Sequence, residues 1–282
     1  MNLSKSVFEI AEKFMAKPEF VSINYERLAE VASEMEAAGK PNFPTIENTE
    51  LIGAVLELVG NSINYCYWYG KHDIRPGDAR STLMYESVQN AFFDYTFGVD
   101  FEKCIERLIG ILAMQRFPLL EERVQHLREL VPYAEEISLN LYNSDHEDIE
   151  PHMASIVSRF PGYGSDIFLK RASLYFLQLY RRYRWFEEAL HHLHIPADYQ
   201  VPRLMDNLGI LEYSAELRYE IDSDRLIPKW SQKECEIRAA TVLVAKDLCK
   251  ELKWTVGDVD GYFWLGARGL ENSFHLTITS DY

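Results

Sequence analysis

The sequence predicts a mostly α-helical fold with only a few short peripheral strands, on three observations. Apolar residues recur at three- and four-residue spacing almost throughout. Helix start and stop residues bracket the periodic stretches, as in "NYERLAEVASEMEAAG", where Asn24 supplies an N-cap and Gly39 a stop. Strand-like runs are confined to "FVSIN" at 20–24 and "FHLTITS" at 274–280, expected to pair with each other or to join a short hairpin.

The spacing places helices in chain order. Val7, Ala11 and Phe14 carry one over 3–15; Leu28, Val31 and Met35 one over 25–38; Leu51, Val55 and Leu58 one over 48–67. Met84, Val88 and Ala91 carry 82–93, Ile105, Leu108 and Leu112 carry 101–113, and Leu120, Val124 and Leu127 carry 118–130. Further helices are expected over 149–159, 166–180 and 199–208. The last, 232–253, opens at Ser231 with a capping box to Glu234. Polar segments 69–81 and 143–151 read as the main internal loops. With no repeat or low-complexity linker, the expectation is one integrated domain over 1–282, with two lobes allowed by the length.

Composition narrows the function. The net charge of −15 repels phosphodiester polymers and anionic membranes, so neither a duplex nucleic acid nor a membrane is expected as a partner. Cys66, Cys104, Cys235 and Cys249 lie far apart without a C-x-x-C pair, which fits a reduced, cytoplasmic setting. The start "MNLSKSVFEIAEKFM" carries Glu9 and Glu12 where a signal peptide needs an apolar run, and no later run has the length of a membrane span. Oligomeric state is left open.

Chemistry concentrates in a few stretches. In "RFPGYGSDIFLKRASLYFL" a Pro-Gly-x-Gly turn at 161–164 leads into a helix whose amides Ser165 or Asp166 can cap, and such a turn can also receive an anion. Lys170 and Arg171 follow, and adjacent helical positions would send one towards a cleft and the other to solvent. "HIPADYQVPRL" isolates Asp198 between two prolines, where it caps the helix beginning at Tyr199. A fixed carboxylate near a cation-bearing helix suits N-glycoside cleavage, because it stabilises the cationic sugar and orients or deprotonates water. "HHLH" at 191–194 lacks the carboxylate and histidine spacing of a metal set, so no metal is assigned.

The hairpin, the lysine and "DYQVPR" resemble the helix-hairpin-helix DNA glycosylases, with Asp198, Val201 and Arg203 in a D-x-x-V-x-R context at a longer spacing than usual. A closer resemblance covers most of the chain. "SINYCYW" at 62–68, "FPLLEERVQHL" at 117–127, "FPGYGSDIFLKRASL" at 160–174, "ADYQVPRLMDNLGILEYS" at 197–214, "ECEIRAATV" at 234–242 and "VDGYFW" at 259–264 occur in order and look like the queuosine salvage family, the queuosine 5'-phosphate N-glycosylase/hydrolases. The resemblance implies a helical DNA glycosylase-like fold and release of queuine from a small nucleotide without metal or redox cofactor. It places the family lysine on Lys170 and the catalytic aspartate on Asp198.

Within that frame, Asn64, Tyr65 and Trp68 are candidates to hold the base at the end of an apolar helix, and Tyr199 and Arg203 flank the aspartate. Glu236 and Arg238 are expected to touch the substrate or to brace the site as a buried pair. Asp260 and Trp264 would line the far wall, unless Asp260 is simply a cap. The chain departs from the family where "PNFPTIENTELIG" at 41–53 lacks an upstream histidine, for which His72 is a candidate substitute, and where Leu265 follows Trp264 in place of an aspartate. These departures leave open a glycosidase for another deazaguanine-type nucleotide, or a non-catalytic nucleotide-binding relative.

Overall fold

The computed structural model describes residues 2–43, 50–68 and 80–282. In chain order its elements are α1 (Leu3–Phe14), β1 (Val21–Ile23), α2 (Tyr25–Ala38), α3 (Glu50–Ser62), α4 (Arg80–Ala91), α5 (Phe101–Met114), α6 (Leu120–Leu130), α7 (Ala134–Tyr142) and α8 (Glu150–Arg159), then the single turn α9 (Pro161–Gly164). α10 (Lys170–Tyr183), α11 (Gln200–Asn207), β2 (Leu211–Tyr213), α12 (Ala215–Asp222), α13 (Gln232–Leu252) and α14 (Val256–Ala267) follow. The mostly helical class holds, and none of these helices is long and apolar enough to cross a membrane. No disulfide joins the four cysteines.

The ends of the helices follow local chemistry. Asn24 accepts a hydrogen bond from the Arg27 N–H and opens α2, and Gly39 ends it at φ +80°, where a side chain would be strained. Ser231 accepts from the Glu234 N–H as predicted, but the Glu234 carboxylate turns back to the Trp230 N–H, so the reciprocal half of the capping box is displaced by one residue. The complete box lies at α14, between Thr255 and Asp258.

Two helices form the axis of the core. α10 is buried on nearly every side and packs against α3, α8 and α14, while α13 packs against α1, α2, α14 and β1. A continuous apolar cluster runs from Val7 to Ala267. A second, small cluster joins Tyr65, Cys66, Trp68, Tyr199, Leu276 and Tyr282, and it lies where α3, α11 and segment 274–282 meet.

Three expectations change. "FVSIN" does supply β1, but its antiparallel partner is β2, with Val21 opposite Tyr213 and Ile23 opposite Leu211. The predicted tail strand makes an isolated bridge from Leu276 to Leu226 instead. The helix expected over 48–67 stops at Ser62, so the aromatic residues of "NYCYW" follow the helix as an irregular loop.

Glu236 also has a different task from the one the sequence suggests. Its buried carboxylate accepts from the Glu19, Phe20 and Val21 N–H groups at 2.9, 2.7 and 3.0 Å, and so ties β1 to α13. Arg238, two residues on, points roughly 200° round the helix and cannot pair with it. Removing the Glu236 carboxylate leaves three backbone donors unmet, so Glu236→Ala is expected to destabilise the fold by about 3 kcal/mol, read from its urea midpoint, with turnover per folded molecule unchanged. Lost turnover at unchanged stability would return Glu236 to the substrate.

Candidate active site

The site begins at the end of α3, where a helix leaves carbonyls without partners. Here four successive carbonyls are each met by a buried cation. Arg171 Nη1 donates to the Ser62 carbonyl, Arg123 Nη1 to that of Ile63, Lys170 Nζ to that of Asn64 at 2.9 Å, and Arg123 Nη2 to that of Tyr65 at 2.6 Å. The helix dipole puts partial negative charge at this end, which favours cations there. Arg171 reaches further, donating to the Gly162 carbonyl and to His126 Nδ1. Burial, then Arg171 and Arg123, push His126 down to about 3, so it is neutral and carries its proton on Nε2.

Lys170 is the first residue of α10, and Asp166 places it. The Asp166 carboxylate accepts from the Phe168 and Lys170 N–H groups at 3.0 and 2.8 Å, which makes Asp166, rather than Ser165, the cap of this helix. The Ser165 hydroxyl instead donates its one proton to the nearer Asp281 carboxylate at 2.9 Å, with the Gly162 carbonyl 3.2 Å away. The Gly162 N–H, expected to be open to an anion, donates to Glu129. Burial would raise the Asp166 carboxyl, yet the Arg238 guanidinium and the backbone donors hold it below the usual carboxylate range. Arg238 binds Asp166 with two hydrogen bonds of 2.8 and 2.7 Å, Glu234 with a third, and the Ala197 carbonyl with Nε at 2.9 Å.

Ala197 leads directly to Asp198, which accepts from the Gln200 and Val201 N–H groups at 2.7 and 3.2 Å at the start of α11. The capping role is therefore real, and it fixes a half-buried carboxylate whose surface still reaches a cavity of about 270 Å³. Lys170 lines the same cavity. Burial pushes its ammonium down to about 8, with Asp198 acting in the opposite sense. Asn64, Asp260 and Trp264 also stand on the wall.

Five of the eleven sequence candidates thus meet at one cavity: Asn64, Lys170, Asp198, Asp260 and Trp264. Six do not line it. Tyr65, Trp68 and Tyr199 are buried in the small aromatic cluster, with Tyr199 stacked on Phe274 at 4.9 Å and Tyr65 beneath the Arg123 guanidinium at 4.3 Å. Arg203 donates to the Asn272 and Leu270 carbonyls, and Glu236 and Arg238 hold backbone and Asp166 as described. Arg171 does not face solvent but is 1% exposed, its two Nη atoms donating to the Ser62 and Gly162 carbonyls and to His126 Nδ1. Asp260 is no cap; its buried carboxyl, raised by burial and opposed by Arg181, accepts from Arg181 Nη2 at 2.5 Å. His72 and most of the loop 69–81 lie outside the described residues.

The cavity adds residues that were not among the sequence's site candidates: Tyr85 of α4, Gln178 of α10 and Arg268 after α14, with Arg181 and Arg182 of α10, which the sequence shows only as part of a dense basic stretch. Arg181 follows Lys170 by eleven positions, about 20° from the same helical face, and Arg268 follows Asp260 and Trp264 at four-residue steps. That spacing was the available signal. Arg182 pairs with the buried Glu57, and Arg268 lies over the Trp264 ring at 4.3 Å. The "HHLH" stretch is elsewhere, beside a separate groove against α1.

This geometry agrees with what the chain is similar to. The profile of a family described as queuosine salvage protein matches residues 55–262. A queuosine 5'-phosphate N-glycosylase/hydrolase of Dictyostelium discoideum is 27% identical over 71% of this chain and 66% of the relative, just under two thirds of its length. A protein of the same name from Sphaerobacter thermophilus is 24% identical over 73% of this chain and 71% of its own. The matched stretch contains the carbonyl run, Lys170, Asp198, Arg238 and Asp260, and the chain belongs to the queuosine salvage protein family.

Proposed function

We propose that this chain hydrolyses the N-glycosidic bond of queuosine 5'-phosphate, releasing queuine and ribose 5-phosphate. The observation that carries the reading is the meeting of a backbone-held Asp198 carboxylate and the Lys170 ammonium on one cavity wall. As the carbon–nitrogen bond breaks, positive charge develops on the sugar, and Asp198 stabilises it while orienting a water or taking its proton. The water oxygen bonds to the sugar carbon, and the base leaves with a proton. Lys170 meets oxygens of the ribose or phosphate; Arg181 and Arg182 are already paired with Asp260 and Glu57, which leaves Arg268 beside Lys170 on this wall to meet a monophosphate. Trp264 offers an aromatic surface to the base.

Asp198→Asn keeps an acceptor for the α11 N–H groups but removes the charge, so turnover is expected to fall on the order of 10² or more with the fold intact. Base release measured by mass spectrometry checks this, and near-normal turnover would take the catalytic role away from Asp198.

The lysine sets a pH dependence. A lysine is charged below its pKa, so the Lys170 cation is present at neutral pH and is lost as pH rises through about 8. The value of kcat/KM should therefore fall on the alkaline side with a midpoint near 8, and Lys170→Arg should remove that limb whatever its absolute activity. A flat wild-type profile between neutral pH and about 10 would show that the ammonium is not required.

A further inference from the structure

The carbonyls of 62–65 are held by cations of α6 and α10, but the next residue is held by a different part of the chain. The Cys66 N–H donates to the Tyr282 carbonyl at 3.0 Å, and Cys66 itself sits at φ +44°, a left-handed conformation that a non-glycine residue adopts only when its surroundings impose it. The same segment touches the other parts of the site. The Phe274 ring stacks on Tyr199, directly after Asp198, and the Tyr282 ring lies 4.2 Å from the Arg238 guanidinium, which binds both Asp166 and the Ala197 carbonyl. Asp281 accepts from Ser165, next to Asp166, and pairs with Lys229 at 2.8 Å. Segment 274–282 thus contacts the three places that position Asn64, Lys170 and Asp198, while its own residues do not line the cavity.

From this convergence we infer that Tyr282 is a positioning residue for the reaction, acting through Cys66 and Arg238. The inference rests on the glycosidase reading for its effect on turnover. Tyr282 is buried, its hydroxyl faces His275 Nε2 at 3.4 Å together with Thr277 and Glu234, and its ring and main chain reach Arg238 and Cys66. An aromatic ring over a guanidinium holds that cation without adding a competing charge, which leaves the hydrogen bonds of Arg238 to Asp166 and Ala197 intact.

Tyr282→Ala, Tyr282→Leu and Tyr282→Phe test this, with base release from queuosine 5'-phosphate and amide hydrogen exchange measured on the full chain. The Ala variant is expected to lose turnover by ten- to a hundredfold, with a smaller change in KM, because the cavity persists while the reacting pair loses its alignment. Exchange should quicken in peptides covering 62–68 and 196–201 while α1 and α5 keep their protection. Tyr282→Phe should restore both turnover and protection. If the Ala variant does not fold, Tyr282→Leu is expected to show the same pattern. Wild-type turnover and exchange in a folded Ala or Leu variant would overturn the inference, and so would a loss that Phe does not rescue. Absence of base release by the wild-type chain would instead sink the glycosidase reading, and the exchange measurement alone would then decide whether Tyr282 braces the loop.

Discussion

One guanidinium ties together the two chain segments that carry the proposed reacting groups. Arg238 of α13 binds Asp166, the cap from which Lys170 starts α10, and it binds the carbonyl of Ala197, which precedes Asp198. All of these groups are cut off from water, so the Arg238 charge is stable only because two carboxylates and a carbonyl surround it. Breaking such a buried pair by removing one partner typically costs about 3–5 kcal/mol. The cost of the arrangement is offset by geometry: two segments far apart in sequence are fixed to the same planar group.

The end of α3 applies the same logic with a different purpose. Its carbonyls are met by two arginines and one lysine, and the choice of cation matters. Arg123 and Arg171 give planar, multiple hydrogen bonds, which suits them to hold structure. Lys170 has one carbonyl within reach and an ammonium whose proton affinity burial has lowered to about 8. It is the weakest-held cation of the three and the one that lines the cavity. Structural demand and chemical availability are thereby separated among neighbours on one helix end.

Much of this was legible in the sequence. Helical periodicity marked most of the longer helices but not α7 or α12, which at nine and eight residues span little more than two turns, and the isolation of Asp198 together with the ordered family blocks pointed to the two groups that now share a cavity. Other features were hidden for physical reasons. α14 was missed because its glycines mask helical propensity, yet a Cβ at Gly257 or Gly261 would press against Tyr180 or Phe43. β2 has three residues, too few for alternation to register. Glu236 and Arg238 looked like partners by proximity, whereas two positions along a helix place side chains on nearly opposite faces, and the true helical partner of Arg238 is Glu234, one turn back. The partners of Tyr199 and Arg203 come from segment 270–282 and those of Tyr65 from α6 and α10, contacts no local pattern encodes.

In the proposed reaction this scaffold presents a carboxylate and a lysine to the glycosidic bond of a single nucleotide. The most direct measurement incubates the protein with a panel of nucleoside 5'-monophosphates, queuosine 5'-phosphate among them, and follows free base by mass spectrometry. Queuine is expected in equal amount to ribose 5-phosphate, with little or no base from the ordinary purine and pyrimidine nucleotides. Saturable binding of queuosine 5'-phosphate with no base released would contradict it and leave a nucleotide-binding protein without the reaction.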